Sequence, residues 1–393
     1  MRVTLPYGTR PVALDLDDGL GAEVLSLPPP PAVPDLGAAL DRALLSPVGT
    51  PPLAELARAA KRVLVIVSDA SRDEPRAALH AAVRRALAPL PDEAITLAVA
   101  NGTHAPGPLG ALGLATEVLR RHRVVNHDAR DLAALVEVGR TARGTRVRVN
   151  RCVLEADLVV VTGRVKPHYF AGWGGGAKGI FPGLGENDDI RQNHRLKADP
   201  ASSLGRADGN PCRDDIEEAV RLVGRPSFLL DVVEVSGVVT GAVAGDLVLA
   251  HRAGVALARP HCEVRARRAD VVVVSAPLPV SATLYQASKL VPPAGMLLRD
   301  GGVVVLAAEC PEGTGPLEIV NEAIFALGVR RFLPPRHTLL LASGLDAATA
   351  ARTYATPAAS LAAAVAEASR LAGPSARWLV LPDAADLVPV AIG

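Results

Sequence analysis

The strongest constraint on the fold is a series of short, continuous apolar runs, rich in Val, Leu and Ile, that recurs along the chain. Continuous apolar runs are typical of strands buried on both faces of a parallel sheet. Segments with helical spacing of Ala, Leu and Arg lie between them, for example at 75–90 and 359–373. Alternation of such strands and helices predicts an α/β fold. The runs lie at residues 63–68, 95–100, 158–162, 228–235, 271–277, 303–308, 338–343 and 378–382.

The length of 393 residues predicts two or three domains. A boundary is expected near 255–265, where a basic stretch separates one series of apolar runs from the next. We therefore predict two α/β domains with largely parallel sheets, at residues 1–258 and 259–382, with the active site in the cleft between them. The last residues, 383–393, could return to the first domain.

The balance of charges argues against a nucleic acid or a membrane surface as the partner. The chain has 42 Lys and Arg against 41 Asp and Glu, a formal net charge of +1. Its 4 cysteines lack the spacing of a disulfide framework or a zinc finger. No uncharged apolar run approaches the ~20 residues that span a membrane, and no signal peptide is evident. We expect a soluble, cytoplasmic protein, whose oligomeric state the sequence does not indicate.

Residues that move protons or bind anions follow several of the predicted strands. Asp69 and Arg72 follow the first run, His104 follows the second, and the third leads to His168. Ligands of open α/β sheets bind outside the carboxyl ends of the strands. Taken singly, Asp69 could cap a helix, His104 could lie in a turn and Arg72 could be a surface residue. Their repetition at equivalent places predicts a site at this edge of the sheet.

The segment at 168–183, HYFAGWGGGAKGIFPG, places Lys178 among glycines. Glycines let backbone N–H groups approach an anion, and a lysine adds a charge or a nucleophilic amine. A Walker A loop is excluded because Ala177 precedes the lysine and Gly179 follows it. GGGAKG matches a dinucleotide-binding fingerprint, but no strand directly precedes it. His194, further along the chain, is either a metal ligand or a residue of a helix surface.

Seven motifs together resemble the lactate racemase family of nickel-pincer-nucleotide enzymes. They occur in the order of the family and at similar spacing, and the segment around Lys178 is the most specific. The motifs are SDASR (68–72), NGTH (101–104), KPHYFAGWGGGAKGIFPG (166–183), NH (193–194), AGD (244–246), YQASK (285–289) and AECPEG (308–313).

The resemblance implies a cofactor, a nickel pyridinium-3,5-bisthiocarboxylic acid mononucleotide. Lys178 matches the lysine that carries this group in the family, and either a covalent thioamide or non-covalent contacts alone would hold it here. His194 matches the histidine that completes the nickel coordination, and four ligands that include a histidine suit square-planar nickel. The further cofactor contacts that the resemblance implies are Asp69, Gly174, Gly175 and Gly176.

The resemblance also implies an isomerase, a racemase or epimerase of a 2-hydroxy acid, that moves a hydride to and from the cofactor. His104 and His168 match the two acid–base histidines, and a reference pKa near ~6.5 lets histidine act in both directions at neutral pH. Cofactor-synthesis proteins would load the chain. The positions that match substrate contacts, the last three of them from the second domain, are Arg72, Tyr285, Gln286 and Lys289.

The first motif departs from the pattern of the family, because Asp73 and Glu74 separate Arg72 from Pro75. Acidic residues there would weaken the hold of Arg72 on a simple carboxylate, or would bind extra hydroxyls of a longer substrate. The identity of the 2-hydroxy acid and the direction of the reaction therefore stay open. Two alternatives also stay open: a nucleotide-dependent dehydrogenase or phosphotransferase, and a non-catalytic protein that binds a hydroxy acid or the cofactor.

Overall fold

Every apolar run that the sequence singles out forms a strand of one of two six-stranded sheets. A computed structural model describes residues 1–16 and 21–392 of the chain. The chain divides into a central unit, Pro30–Pro260, and a terminal unit, Met1–Pro29 with His261–Gly393. Each unit has its own largely parallel sheet with helices between the strands, which confirms the predicted α/β fold.

The described strands follow one another along the chain with helices between many of them. They are β1 (Arg2–Gly8), β2 (Arg10–Asp15), β3 (Gly21–Val24), β4 (Val63–Ser68), β5 (Ile95–Ala100), β6 (Arg123–Asn126), β7 (Leu135–Arg140), β8 (Arg146–Asn150), β9 (Leu158–Val165), β10 (Pro167–His168), β11 (Gly172–Trp173), β12 (Ser227–Val235), β13 (Val238–Gly245), β14 (Glu263–Ala266), β15 (Ala269–Val274), β16 (Ala276–Pro277), β17 (Leu298–Ala307), β18 (His337–Ala342), β19 (Thr356–Ala358), β20 (Arg377–Leu381) and β21 (Val388–Ala391).

The α-helices are α1 (Leu36–Leu45), α2 (Leu53–Leu56), α3 (Arg76–Ala86), α4 (Thr116–Arg121), α5 (Arg151–Glu155), α6 (Asn187–Arg195), α7 (Pro211–Val223), α8 (Leu249–Cys262), α9 (Leu284–Ala287), α10 (Val291–Met296), α11 (Ala347–Ala350) and α12 (Leu361–Ala372). Ile319–Val329 forms a π-helix. Short 3-10 helices lie at Ala57–Ala59, Asp92–Ala94, Leu109–Leu112, Leu132–Ala134, Gly176–Gly179, Leu196–Ala198, Ser288–Leu290 and Arg330–Phe332. No helix within residues 1–16 and 21–392 is long and apolar enough to cross a membrane.

The sheet of the central unit has the strand order β13-β12-β9-β4-β5-β6. Its neighbouring strands are parallel except for the antiparallel pair β12 and β13. α1 and α3 bury Leu40 and Leu79 in the apolar core on one face of this sheet. Ser68 and Ala100 lie opposite each other at the ends of β4 and β5. The loops that follow these strands therefore leave the sheet at the same edge.

The terminal unit contains both ends of the described chain. Its sheet has the order β19-β18-β17-β15-β20-β3, with every neighbouring pair parallel. β1 and β2 form a hairpin, and β1 also pairs with β16. Leu5 and Leu14 of this hairpin are buried in one core with Trp378 of β20.

This division differs from the predicted domains at both chain ends. Residues 1–29, which the prediction assigned to the domain at 1–258, belong to the terminal unit because β3 pairs with β20 and β1 pairs with β16. The predicted tail, described at 383–392, also lies in the terminal unit, where β21 pairs with β14. The prediction grouped residues that are close in sequence, whereas the unit to which each chain end belongs is set by the strands with which it pairs. The predicted cleft between domains stays a prediction.

Candidate active site

Asp69 lies directly after β4 and faces the side chains of His104 and Arg72. Its carboxylate accepts the backbone N–H of Ser71 at 2.8 Å, and its Oδ2 lies 3.4 Å from Nδ1 of His104 and 3.7 Å from Nε of Arg72. Burial alone would raise the pKa of Asp69, but these three contacts outweigh it and hold the pKa well below its usual range. Asp69 is therefore an anion at neutral pH, and it orients Nδ1 of His104 as a hydrogen-bond donor.

The loop that carries His104 is hydrogen-bonded to the loop that carries Lys178. The N–H of Gly102 donates to the carbonyl of Gly183 at 2.9 Å, and the N–H of Gly183 donates to the carbonyl of Lys178 at 2.9 Å. These are contacts between backbone groups, so they depend little on the side chains that the two loops carry. They bring the loops of His104 and Lys178 side by side.

Phe170 contacts two of the predicted site histidines. Its ring centroid lies 4.6 Å from that of His168 and 5.0 Å from that of His194, and both contacts are edge-on. Nδ1 of His168 accepts the backbone N–H of Ala171 at 3.3 Å. The neutral ring of His168 therefore carries its proton on Nε2.

Lys178 lies in the short 3-10 helix Gly176–Gly179, which packs against the sheet. A Cβ on Gly179 would lie 2.4 Å from Cγ1 of Val161 in β9, so a glycine is needed for this close approach. The two-residue strands β10 and β11 precede the turn, and His168 lies opposite Gly172 in their pairing.

A dinucleotide-binding site requires a long helix directly after its glycines. The four-residue turn does not supply one, which disfavours the alternative of a free dinucleotide at this loop.

Gly175 and Gly176 are required by the protein's own packing. Their φ angles are +76° and +68°, which residues with side chains rarely adopt. A Cβ on Gly175 would lie 2.4 Å from Oδ2 of Asp231, and a Cβ on Gly176 would lie 3.0 Å from the ring of His251. A Cβ on Gly174 would meet its nearest neighbour at 3.5 Å, an ordinary contact. The contact of these glycines with a cofactor stays a prediction.

α6 presents His194 from a helix that polar contacts fix at both ends. The Glu186 carboxylate caps the first turn by accepting two backbone N–H groups. Asn193, next to the histidine, is fully buried and donates through Nδ2 to Oδ2 of Asp215 in α7 at 2.8 Å. His194 itself is half-buried on this helix, and its role as a metal ligand stays a prediction.

Tyr285, Gln286 and Lys289 form one cluster in the terminal unit. Thr283 caps α9, which begins at Leu284, and its hydroxyl accepts the backbone N–H of Gln286 at 3.3 Å. Nζ of Lys289 donates to Oε1 of Gln286 at 2.5 Å and lies 5.1 Å from the ring centroid of Tyr285. The three predicted substrate contacts of this segment are therefore neighbours, and their contact with a substrate stays a prediction.

Protein side chains alone do not form a metal site in the part of the chain that the structure describes. No group of three or more His, Cys, Asp or Glu side chains converges there. Burial raises the pKa of the Cys152, Cys212 and Cys310 thiols to about 12, and a protonated thiol is a poor ligand. A metal bound through His194 would therefore take its other ligands from a bound group.

A family model described as the lactate racemase N-terminal domain matches residues 7–205. This span is just over half of the 393 residues and includes every site residue predicted in the central unit. The chain belongs to the lactate racemase family. The predicted family is thus confirmed, and so is the predicted enzyme class, an isomerase.

Lactate racemases from two organisms are similar to this member of the family. The enzyme of Thermoanaerobacterium thermosaccharolyticum is 29% identical over 324 residues, which are 80% of this chain and 75% of that protein. The enzyme of Lactiplantibacillus plantarum is 27% identical over 322 residues, which are 80% of this chain and 76% of that protein.

Solved structures extend the similarity to nearly the whole chain. The lactate racemase apoprotein from Thermoanaerobacterium thermosaccharolyticum superposes with a TM-score of 0.87 at 25% identity, covering 99% of this chain and 100% of its own. A crystal structure of a protein from Thermotoga maritima is similar in fold alone, with a TM-score of 0.64 at 16% identity over 87% of this chain and 98% of its own.

The two acidic residues that depart from the lactate racemase pattern lie in different surroundings. The side chain of Glu74 is 1% exposed, its Oε1 lies 3.5 Å from Nε of Arg76, and burial raises its pKa. Asp73 is exposed, and its backbone carbonyl accepts from Arg164. Glu74 is thus a buried partner of a cation, which argues against the hypothesis that it binds hydroxyls of a longer substrate.

Sequence analysis missed the three side chains that contact the glycines: Arg213 in α7, Asp231 in β12 and His251 in α8. The sequence carries a sign that Asp231 has a specific role, because it is the first acidic residue in the apolar run FLLDVVEV. A carboxylate in a strand buried on both faces needs a hydrogen-bond partner. Arg213 and His251 lie in helices with many other polar residues, so their sequence carries no comparable signal.

Proposed function

We propose that this chain is a racemase or epimerase of a 2-hydroxy acid and that it uses a nickel-pincer nucleotide loaded by cofactor-synthesis proteins. The observation that carries the proposal is the grouping in the central unit of His104, His168, Lys178 and His194. Backbone bonds join the loops of His104 and Lys178, and Phe170 contacts both His168 and His194. Each of the four matches a functional position of the family.

The donor set of the central unit fits this cofactor. The described residues offer no three-ligand metal group, whereas a pincer brings sulfur, carbon and sulfur, so that one imidazole completes a four-coordinate nickel. His194 would supply that imidazole, and the amine of Lys178 would hold the nucleotide. When bound, the group supplies a reversible hydride acceptor.

The protein's own histidines would move the hydroxyl proton. Because Asp69 faces Nδ1 of His104, the lone pair on Nε2 of His104 is available to accept this proton. The histidine that donates a proton to the keto oxygen must be an imidazolium, because a neutral ring that gave up its proton would become an imidazolate. When His168 is this acid, it holds protons on both nitrogens, and its Nδ1 no longer accepts the N–H of Ala171. Two enantiomers present their hydroxyls in different directions, so a racemase needs an acid–base group on each side.

The substrate carboxylate needs cationic or polar partners. Arg72 offers a guanidinium that is 49% exposed and lies beside Asp69, and we assign it to the carboxylate. Gln286 and Lys289, with Tyr285, are the further substrate contacts of the proposal. A neutral analogue of the substrate would lose the charge interaction with Arg72.

A reaction in D2O tests hydride transfer directly. The protein would be co-expressed with a cofactor-making pathway and incubated with one enantiomer of lactate and of longer 2-hydroxy acids. We expect the opposite enantiomer to form with protium retained at C2, because a hydride that stays on the enzyme does not exchange with solvent. Chiral chromatography and mass spectrometry measure both quantities. Deuterium at C2 of the product would show proton abstraction and contradict the mechanism.

Variants of the site test the assigned roles. His104→Ala and His168→Ala are each expected to lower kcat by about 100-fold or more while the mass increment of the nickel-containing group is retained. Lys178→Ala is expected to lose any increment that survives denaturation. Absence of an increment in the wild-type protein, next to a relative that loads in the same cells, would contradict the cofactor assignment.

A further inference from the structure

The loop at 171–176 is held by its backbone carbonyls. Arg213, which is fully buried in α7, donates through Nε to the carbonyl of Ala171 at 3.4 Å and through Nη1 to that of Gly175 at 3.1 Å. Its Nη2 donates to the carbonyl of Trp173. One buried guanidinium therefore contacts three carbonyls within five residues of chain, the geometry for which arginine's planar fork is suited.

His251 contacts the carbonyl of Gly174, which lies between Trp173 and Gly175 in the chain. The ring is 1% exposed, and its Nε2 lies 2.8 Å from this oxygen. Its Nδ1 lies 3.1 Å from Nη1 of Arg252, which in turn is paired with Glu217 at 2.9 Å. Because Arg252 can only donate, Nδ1 is the acceptor and Nε2 carries the proton. Burial holds the pKa of His251 well below its usual range, in agreement with a neutral ring in this tautomer.

Asp231, in β12, is the third side chain that contacts this loop. Its Oδ2 accepts the backbone N–H of Gly176 at 2.8 Å. The side chain is fully buried, and its Oδ1 has no hydrogen-bond partner among the described residues. Burial of this carboxyl group is costly, and the hydrogen bond from Gly176 offsets part of that cost.

We propose that Arg213, His251 and Asp231 are positioning residues that clamp the loop at 171–176 and thereby hold Lys178 ready for the cofactor. The link to the cofactor rests on the proposed function, whereas the clamp itself does not. Glycines have no side chains with which to anchor a loop and lose the most conformational entropy on ordering. Contacts from outside the loop must therefore fix the backbone that leads to Lys178, two residues beyond Gly176.

Two sets of variants separate the effect of a lost hydrogen bond from the effect of a changed side chain. Arg213→Met, His251→Leu and Asp231→Ala remove the contacts. His251→Gln keeps a donor for the Gly174 carbonyl, and Asp231→Asn keeps an acceptor for the Gly176 N–H. Arg84→Met is the matched control for the arginine, because Arg84 also contacts two carbonyls and a carboxylate in the same unit, at the end of α3.

Two readouts are needed, and neither is activity. Amide hydrogen exchange of peptides covering 166–185, measured on protein without cofactor, reports the order of the loop. Mass spectrometry after co-expression with the cofactor-making pathway reports loading. We expect the contact-removing variants to exchange at least tenfold faster in this segment and to load at least tenfold less. His251→Gln and Asp231→Asn should stay within about twofold of wild type, and Arg84→Met should change neither readout.

Unchanged exchange at 166–185 in folded His251→Leu and Asp231→Ala would overturn the clamp. Equal loss of loading in Arg84→Met would also overturn it, because general destabilisation would then suffice. If Arg213→Met does not fold, the comparison of His251→Leu with His251→Gln, and of Asp231→Ala with Asp231→Asn, still tests the clamp. If the wild-type protein does not load, the proposed function fails, and the exchange measurement still decides the clamp.

Discussion

Two aspartates of the central unit have pKa values displaced in opposite directions. Asp69 is buried but faces His104, Arg72 and a backbone N–H, and its pKa is held well below the usual range. Asp231 is fully buried, and this burial raises its pKa to about 7 against one stabilising hydrogen bond from Gly176. The balance between desolvation and partners, and not the residue type, sets the charge of each.

The raised pKa of Asp231 predicts a pH dependence of stability. A carboxyl whose folded pKa lies above its unfolded value stabilises the fold fully below about pH 4, and this contribution is lost as pH rises to about 7. The charged groups that act on it are Glu74, which raises the pKa, and Arg213, which lowers it. Wild type should therefore lose stability relative to Asp231→Asn between pH 4 and 7, by about 4 kcal/mol at most. Urea denaturation of both proteins across this range measures the difference.

The Asp231→Asn protein is itself the control in this comparison, since all other titrating groups are common to both proteins. Parallel stability profiles from pH 4 to 8 would show that Asp231 does not change its protonation state in the folded protein there.

α7 connects several parts of the candidate site. Asn210 caps it, accepting the N–H groups of Cys212 and Arg213, and its Nδ2 donates to the carbonyl of Phe170 at 2.8 Å. Pro at the first position and Gly224 in a left-handed conformation at the end mark the limits of the helix. Arg213 reaches the glycine loop from its first turn, and Asp215 accepts from α6. One helix thus fixes both segments that carry the candidate cofactor residues.

Asn210→Ala is expected to cost more than an ordinary helix cap. The lost cap costs ~0.5–2 kcal/mol, and the buried carbonyl of Phe170 loses its donor, which adds ~1–3 kcal/mol. The matched control is Asp35→Ala, which removes the exposed cap of α1 and should cost only about 1 kcal/mol. Urea denaturation gives both values, and equal costs would contradict the role assigned to Asn210.

The chain does not divide into domains in the order of its sequence. Its first 29 residues and everything after Pro260 form one unit, in which β1 and β3 pair with strands more than 250 residues away. Leu14 of β2 is 2% exposed and packs in the core that contains Val271 and Trp378. The start of the chain is therefore part of the core of the terminal unit and not an extension of the central one.

Leu14→Ala tests this arrangement. Removal of the buried side chain should cost about 2–5 kcal/mol, and the loss should be confined to the terminal unit. We expect faster amide exchange in β17 and β20 with unchanged exchange in β4 and β9. Leu79→Ala, in the core of the central unit, is the matched control and should show the reverse pattern. Faster exchange of β4 and β9 in Leu14→Ala would contradict the assignment of β2 to the terminal unit.

Much of this could be predicted from the sequence because it is local. A strand buried on both faces needs a continuous apolar run, so all eight runs were recognisable before any pairing was known. The motifs around Asp69, His104, His168 and Lys178 are contiguous stretches, which made the family recognisable. The clamp of Arg213, His251 and Asp231 was not, because its members are distant from the loop in sequence and each is a common residue in an ordinary context.

Local pattern therefore accounts for which segments are strands and helices, for the α/β class and for membership of the lactate racemase family. The partners of β1, β3 and β21, and the side chains that hold the glycine loop, emerged only in the folded chain. Periodicity records whether a residue is buried, and that is a property of a short segment. It does not record what the residue is buried against, which depends on packing among segments hundreds of residues apart.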